Sequence, residues 1–414
     1  MIAQLPFRKE KIELQIPDRN YLGTLMPNDV GEGLTGEEEV IRGLENPIGT
    51  GRLKDIVHTG QKVVIVTSDI TRPMPSYAVL PHVLKELNEG GVPDKDITVV
   101  FAVGSHRCHT EEEKKKLVGE AVYARVSCID SHGEFVHMGT TSRGTPVDIF
   151  KTVAEADIRI CLGNIEFHYF AGYSGGAKAI MPGVSTRDAI QCNHSRMVQE
   201  EARAGAIEGN PIREDIDEVC EKFVKVDFIV NVVLDEKKRI RRCVAGHFIK
   251  AHREGCRFLD QLYKVQIPKR ADIVIVSAGG YPKDLNLYQA QKALDNSKHA
   301  VRDGGCIIWI ASAYEGLGEG VFEKWMTGHE KASDMIEHIS RDFQLGGHKA
   351  AAITMVLEKA EIILYSDLDA DFVRSIHLKP CADAQAELDA AIARYGEDAS
   401  VLVMPYGGST LPCL

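Results

Sequence analysis

Four short stretches of the chain collect residue types that can move protons or hold an anion: SDITRP (68 to 73), GSHRCHT (104 to 110), EFHYFAGYSGGAKAIMPG (166 to 183) and YQAQK (288 to 292). In the first, Asp69 and Arg72 share one turn. An arginine there can clamp a carboxylate bidentately, although a DxxR pair is as easily a local ion pair. In the second, His106 follows Gly104 closely, and in the third His168 precedes Lys178 by ten residues. Imidazoles suit proton transfer near neutrality, since an unperturbed histidine titrates at about pH 6.5. The SGGAK turn suggests a phosphate cradle, but the pattern G-x-x-x-x-G-K-[ST] is not met. Gly172 and Gly176 are too close together, and Ala179 stands where a magnesium-binding hydroxyl belongs. Lys178 needs another explanation.

A further histidine, His194 in QCNHSRM, comes sixteen residues after Lys178. Within one helical turn it has only Cys192, Asn193 and Ser195 beside it, which excludes a zinc site of the HExxH type. If His194 binds a metal, a group other than protein must supply most of the ligands. Each candidate also has a plain reading. His168 between aromatic neighbours can be a packed core histidine, and Lys178 a solvated lysine. Gln289 and Lys292, three apart on a helix following Asn286, lie opposite the apolar stripe Leu287, Ala290 and Leu294, as on any amphipathic surface helix.

What joins the four stretches is the elements that must position them. Apolar runs at 62–68, 97–104, 157–163, 227–234, 272–280, 305–312, 361–366 and 400–408 are continuous and rich in β-branched residues, and all but 227–234 end in Gly or Ser. Such runs are expected of parallel strands buried on both faces, so the chain reads as an α/β protein with mainly parallel sheets. The spacing of Val79, Leu80, Val83, Leu84 and Leu87 predicts a helix that stops at Gly90-Gly91. Thr110 with Glu113, and Ser185 with Asp188, have the spacing of helix-start caps. In open parallel sheets ligands bind outside the carboxyl ends of the strands, and the polar stretches follow directly on such ends.

The length of 414 residues accommodates two domains. The polar stretch 262–271 marks the boundary, giving domains 1–267 and 268–414, with the last residues a candidate to return to the first. The net charge of -11 argues against a nucleic-acid surface. No signal peptide and no membrane span of about 20 apolar residues is recognisable, so a cytoplasmic location is expected. Ten cysteines without a CxxC pair indicate neither a disulfide framework nor a zinc ribbon.

Taken in order and at matching spacing, SDITRP, GSHR, the H-x9-K element of FHYFAGYSGGAKAIMPG, the Asn-His of QCNHSRM and YQAQK resemble the lactate racemase family over nearly the whole chain. The resemblance implies a 2-hydroxy acid racemase or epimerase, with its active site in the cleft between the two domains. It implies a nickel-pincer nucleotide (pyridinium 3,5-bisthiocarboxylic acid mononucleotide) joined covalently to Lys178 as a thioamide, with His194 binding the nickel. His106 and His168 would be the proton-transferring pair for reversible hydride transfer. Asp69 and Arg72 would contact cofactor, and Arg72, Gln289, Lys292 and Tyr288 substrate.

On that basis the glycines around Lys178 would let backbone approach a nucleotide-sized ligand closely. The implied partners are a small 2-hydroxy acid and the cofactor-synthesis enzymes. Phe167, Tyr169, Tyr288 and His109 lie beside the motifs as candidates for lining the substrate pocket. Two other classes use similar residues: a pyridine-nucleotide dehydrogenase, whose G-x-G-x-x-G is absent after every strand, and a non-catalytic nickel carrier.

Overall fold

The run KVVIVTS forms the strand Val63–Ser68, whose first five residues are buried, as a strand covered on both faces must be. In the computed structural model, which describes all 414 residues, this strand lies inside a six-stranded sheet. The strand order is Ile240–Gly246, Phe228–Leu234, Ile158–Asn164, Val63–Ser68, Ile97–Ala102 and Ser127–Asp130. All neighbours are parallel except the edge pair of Ile240–Gly246 with Phe228–Leu234. The chain enters at Val63–Ser68, runs outward through Ile97–Ala102 to Ser127–Asp130, then returns to the other side at Ile158–Asn164. The order therefore reverses between Val63–Ser68 and Ile158–Asn164, the switch point where an open parallel sheet leaves a crevice at its carboxyl edge.

The helix expected from the Val79 to Leu87 spacing spans Ser76–Glu89, and those five apolar residues are fully buried against the sheet. Thr110 and Glu113 form a complete capping box on the helix Glu111–Val118. At the helix Arg187–His194 the expected cap is displaced by one residue. Thr186, not Ser185, accepts from the Ala189 amide, while the Ser185 hydroxyl donates to the Ile180 carbonyl.

Residues 30–260 form one unit; residues 1–29 with 261–414 form the other. This corrects the expected single cut at 267, because the first 29 residues pack with the carboxyl-terminal part of the chain. The hairpin Ile2–Phe7 with Glu10–Gln15 buries Ala3, Leu5 and Leu14 against Ile273, Ile275 and Ile308. Tyr21–Thr24 then adds a parallel edge strand to Val401–Met404. The second sheet runs Lys379–Cys381, Glu361–Tyr365, Val301–Ile310, Ala271–Ser277, Val401–Met404 and Tyr21–Thr24, parallel throughout. The last residues stay in this unit as well, since Leu411–Cys413 pairs with Lys264–Gln266. No helix is long and apolar enough to cross a membrane.

Candidate active site

At the switch point the first strand ends in the turn Asp69 to Arg72. Asp69 is buried and spends both carboxylate oxygens: Oδ1 accepts from the Thr71 amide (2.6 Å) and hydroxyl (2.5 Å), while Oδ2 lies 2.6 Å from His106 Nδ1. Burial alone would raise the carboxyl pKa, but the hydrogen bonds from His106 and Thr71, with the nearby Arg72 charge, bring it below its ordinary value. An ionised Asp69 can only accept, so it fixes the proton of His106 on Nδ1 and leaves Nε2 for exchange. His106 itself is half-buried, held where its own amide donates to the Val103 carbonyl at 2.8 Å.

The strand Ile158–Asn164 leads into a small hairpin, Phe167–His168 against Gly172–Tyr173, then a single 3₁₀ turn Gly176–Ala179 that carries Lys178. Lys178 Nζ lies 3.4 Å from His168 Nε2. The opposite ring nitrogen, Nδ1, accepts from the Ala171 amide at 3.3 Å. In a neutral His168 the proton must then sit on Nε2, so Nζ is the acceptor and Lys178 is a free amine. The electrostatics agree. Burial first, then Arg213 and Arg72, drive the Lys178 amine well below its usual range, with Glu166 opposing. Burial first, with the Arg72 and Arg213 charges, lowers the His168 pKa well below 6.5 and holds the ring neutral.

Phe170 is the hub of this group. Its ring packs edge-on against His168 (centroids 4.4 Å apart) and His194 (4.8 Å), with Lys178 Nζ 5.8 Å from its centroid. His194 closes the helix Arg187–His194 and is buried. Its Nδ1 lies 2.8 Å from Asn193 Oδ1. Asn193 cannot flip, because its Nδ2 donates to the fully buried Asp215 (2.7 Å) and to the Ile212 carbonyl. The carboxamide oxygen therefore accepts from His194 Nδ1–H, which leaves the electron pair of His194 on Nε2, the form an imidazole must have to ligate a metal.

The glycines of the turn have a packing role of their own. Gly175 and Gly176 have φ of 76° and 59°. A Cβ on Gly175 would meet Asn231 Oδ1 at 2.7 Å and Ile165 at 2.9 Å, and one on Gly176 would meet the His252 ring at 2.9 Å. Their lack of side chains is required by left-handed backbone and close packing on Asn231 and His252.

The structure thus brings Asp69, Arg72, His106, His168, Lys178 and His194 to the carboxyl edge of one sheet. Tyr288, Gln289 and Lys292 belong to the other unit, on the helix Leu287–Ser297 capped by Asn286. Gln289 is exposed and Lys292 half-buried, opposite the buried Leu287, Ala290 and Leu294 as the spacing predicts. The ring of Tyr288 lies under Lys349 Nζ at 4.0 Å. Of the residues beside the motifs, Phe167 is buried against Tyr173, and the His109 side chain is buried with both ring nitrogens bonded.

Sequence reasoning overlooked Arg213. It is fully buried and donates to the carbonyls of Ala171 and Tyr173, from where its charge acts on Lys178 and His168. The only signal for it was NPIRED, a helix start whose Asn210 cap accepts from the Arg213 amide.

These are two open, mainly parallel α/β units, one of which gathers proton-handling side chains at its switch point, an architecture that serves small-molecule enzymes. Residues 7–205 match the lactate racemase N-terminal domain and residues 266–411 the lactate racemase C-terminal domain. The lactate racemase of Thermoanaerobacterium thermosaccharolyticum is 34% identical over 421 residues, covering 99% of this chain and 98% of that protein. The lactate racemase of Lactiplantibacillus plantarum is 34% identical over 423 residues, covering 98% and 99%. The solved structure of the T. thermosaccharolyticum lactate racemase apoprotein superposes with a TM-score of 0.90 over the full length of both chains. A Thermotoga maritima protein of 20% identity shares the fold, with a TM-score of 0.63 over 92% of this chain and all of its own. The chain belongs to the lactate racemase family.

Proposed function

We propose that this isomerase of the lactate racemase family interconverts the enantiomers of a 2-hydroxycarboxylate, lactate or a close relative. In this reading His106 and His168 exchange protons with substrate, and Lys178 and His194 hold a nickel-pincer nucleotide. The observation that carries the reading is Lys178 as a free amine against His168, on the Phe170 ring that also touches His194. A solvated surface lysine would be a cation, whereas attachment through nitrogen needs its lone pair.

The donor set fits the group. Lys178 offers an uncharged amine, His194 an Nε2 electron pair fixed by Asn193, and Arg72 and Arg213 a cationic surround suited to a phosphate-bearing nucleotide. When bound, the group would supply the acceptor for the α-hydrogen and its electron pair, chemistry that no side chain offers.

The side chains do the rest. Taking the α-hydrogen as a proton would build a carbanion next to a carboxylate. Removing it with its electron pair avoids that, provided a base takes the hydroxyl proton. A racemase meets both hands of its substrate, so one base is needed on each side, and His106 and His168 are assigned to them. Asp69 keeps the exchanging nitrogen of His106 on Nε2. Arg72, Gln289, Lys292 and Tyr288 are assigned to the substrate's carboxylate and hydroxyl oxygens.

The test uses protein produced together with the cofactor-synthesis enzymes, with D- and L-lactate and related acids followed by chiral chromatography. Interconversion by wild type, with an adduct of nucleotide mass that disappears in Lys178→Ala, is the expected result. An unmodified wild type with full activity overturns the Lys178 assignment.

A further inference from the structure

His109 lies three residues beyond His106 and takes no part in the proton chemistry above. Its side chain is 1% exposed, and its ring packs on Phe101 with centroids 5.2 Å apart. Both nitrogens are engaged. Nε2 is 3.0 Å from the backbone nitrogen of Ile70, and Nδ1 is 2.6 Å from Asp130 Oδ1. The Ile70 amide can only donate, so Nε2 carries the lone pair and Nδ1–H donates to Asp130. Asp130 is held in turn: its Oδ2 accepts from the His109 amide (3.2 Å) and pairs with Lys114 (3.0 Å).

Ile70 sits between Asp69, which orients His106, and Thr71, which donates twice to Asp69. The chain Asp130 to His109 to Ile70 therefore ties together the ends of three adjacent parallel strands, Ser127–Asp130, Ile97–Ala102 and Val63–Ser68. A turn on a strand end has no ladder to hold it, and here the His109 ring replaces one.

We propose that His109 is a positioning residue: through the Ile70 amide it holds the Asp69 turn, and so fixes the orientation of His106 towards substrate. The claim rests on the reading of His106 as an acid–base group.

Two polar substitutions separate the two halves of the ring. In His109→Gln the side-chain oxygen reaches the place of Nε2 and can accept from Ile70, but the bond to Asp130 is lost. In His109→Asn the amide nitrogen takes the place of Nδ1 and can donate to Asp130, but nothing reaches Ile70. The first readout is the His106 Nδ1–H resonance in protein labelled with ¹⁵N-histidine, which reports the bond to Asp69 whatever the substrate. The signal should persist in the Gln variant and be lost or broadened by exchange in the Asn variant. The second readout is the steady-state split: kcat should fall roughly 10- to 100-fold in His109→Asn with KM within about threefold, and recover most of the way in His109→Gln.

If both variants keep the His106 signal and wild-type kcat, or if they lose both equally, His109 is merely structural and the proposal is overturned. Should the wild type racemise no 2-hydroxy acid, the functional reading fails, and the resonance still decides the positioning claim.

Discussion

The two histidines assigned to the same chemical task live in opposite surroundings. His106 is half-open and bonded to an anion, Asp69, whose own orientation is fixed by Thr71. His168 lies on a two-residue strand beside Tyr169 and Phe170, and burial and the Arg72 and Arg213 charges act on it. A carboxylate partner fixes which nitrogen of an imidazole carries its proton, whereas burial and cations favour the neutral form. The difference teaches that a two-base site need not be symmetric: Asp69 fixes which ring nitrogen of His106 exchanges, whereas burial and neighbouring cations keep His168 neutral. In the resting protein burial with the charges of Arg72 and Arg213 holds His168 neutral and Lys178 a free amine.

The largest effects should come from removing the cationic side's own groups. Lys178→Ala should lose both the nucleotide-mass adduct and racemisation, read by intact-mass spectrometry and chiral chromatography. His168→Ala should keep the adduct yet lose racemisation by roughly 10²- to 10⁴-fold.

Asp69→Asn tests the anionic side. It preserves shape but can present its NH₂ to His106 and reverse the tautomer, so a fall in kcat at the lower end of that range, about 10², is expected, with the Lys178 adduct intact. An activity equal to wild type would mean that Asp69 does not set the state of His106.

A smaller loss is expected at Asn193→Leu, which removes the acceptor for His194 Nδ1–H. Nickel measured by elemental analysis after dialysis should be retained roughly 10- to 100-fold less tightly.

The smallest effect is on stability, and its sign comes from the direction of the Lys178 shift. The unfolded chain binds the Lys178 proton below about pH 10.5, whereas the folded protein binds it only at much lower pH. Folding is therefore penalised increasingly as pH falls below 10.5. Lys178→Met in the protein lacking cofactor removes that penalty. Its Tm should match wild type near pH 10.5 and exceed it increasingly towards neutrality. A gap that is constant with pH would place the lysine in solvent.

Much of this arrangement was legible from residue order. The eight apolar runs gave the interior strands, because strands buried on both faces carry an unbroken β-branched signal, and the rule for parallel sheets then pointed to Asp69, His106, His168 and Lys178. Elements with mixed patterns escaped. The edge strand Ile240–Gly246 contains Arg241 and Arg242, and the hairpin Ile2–Phe7 with Glu10–Gln15 turns at Arg8 with φ of 52°, without the Asn-Gly or Asp-Gly that announces a hairpin. Membership of residues 1–29 in the second unit depends on contacts some 250 residues away in sequence, which no local pattern encodes. The same holds within the site. Asn193 and His109 were visible as residues, but the partners that give them meaning, Asp215 and Ile70, are set by the fold.

The most direct test of the two-sided account is a single-turnover experiment on cofactor-loaded His106→Ala and His168→Ala, each mixed with one pure enantiomer of a substrate labelled with deuterium at the α-carbon. The account predicts that each variant still releases the α-deuterium from one hand of the acid and not the other, and that the preferred hand reverses between the two variants. The same preference in both, or racemisation by both at near wild-type rates, would contradict it.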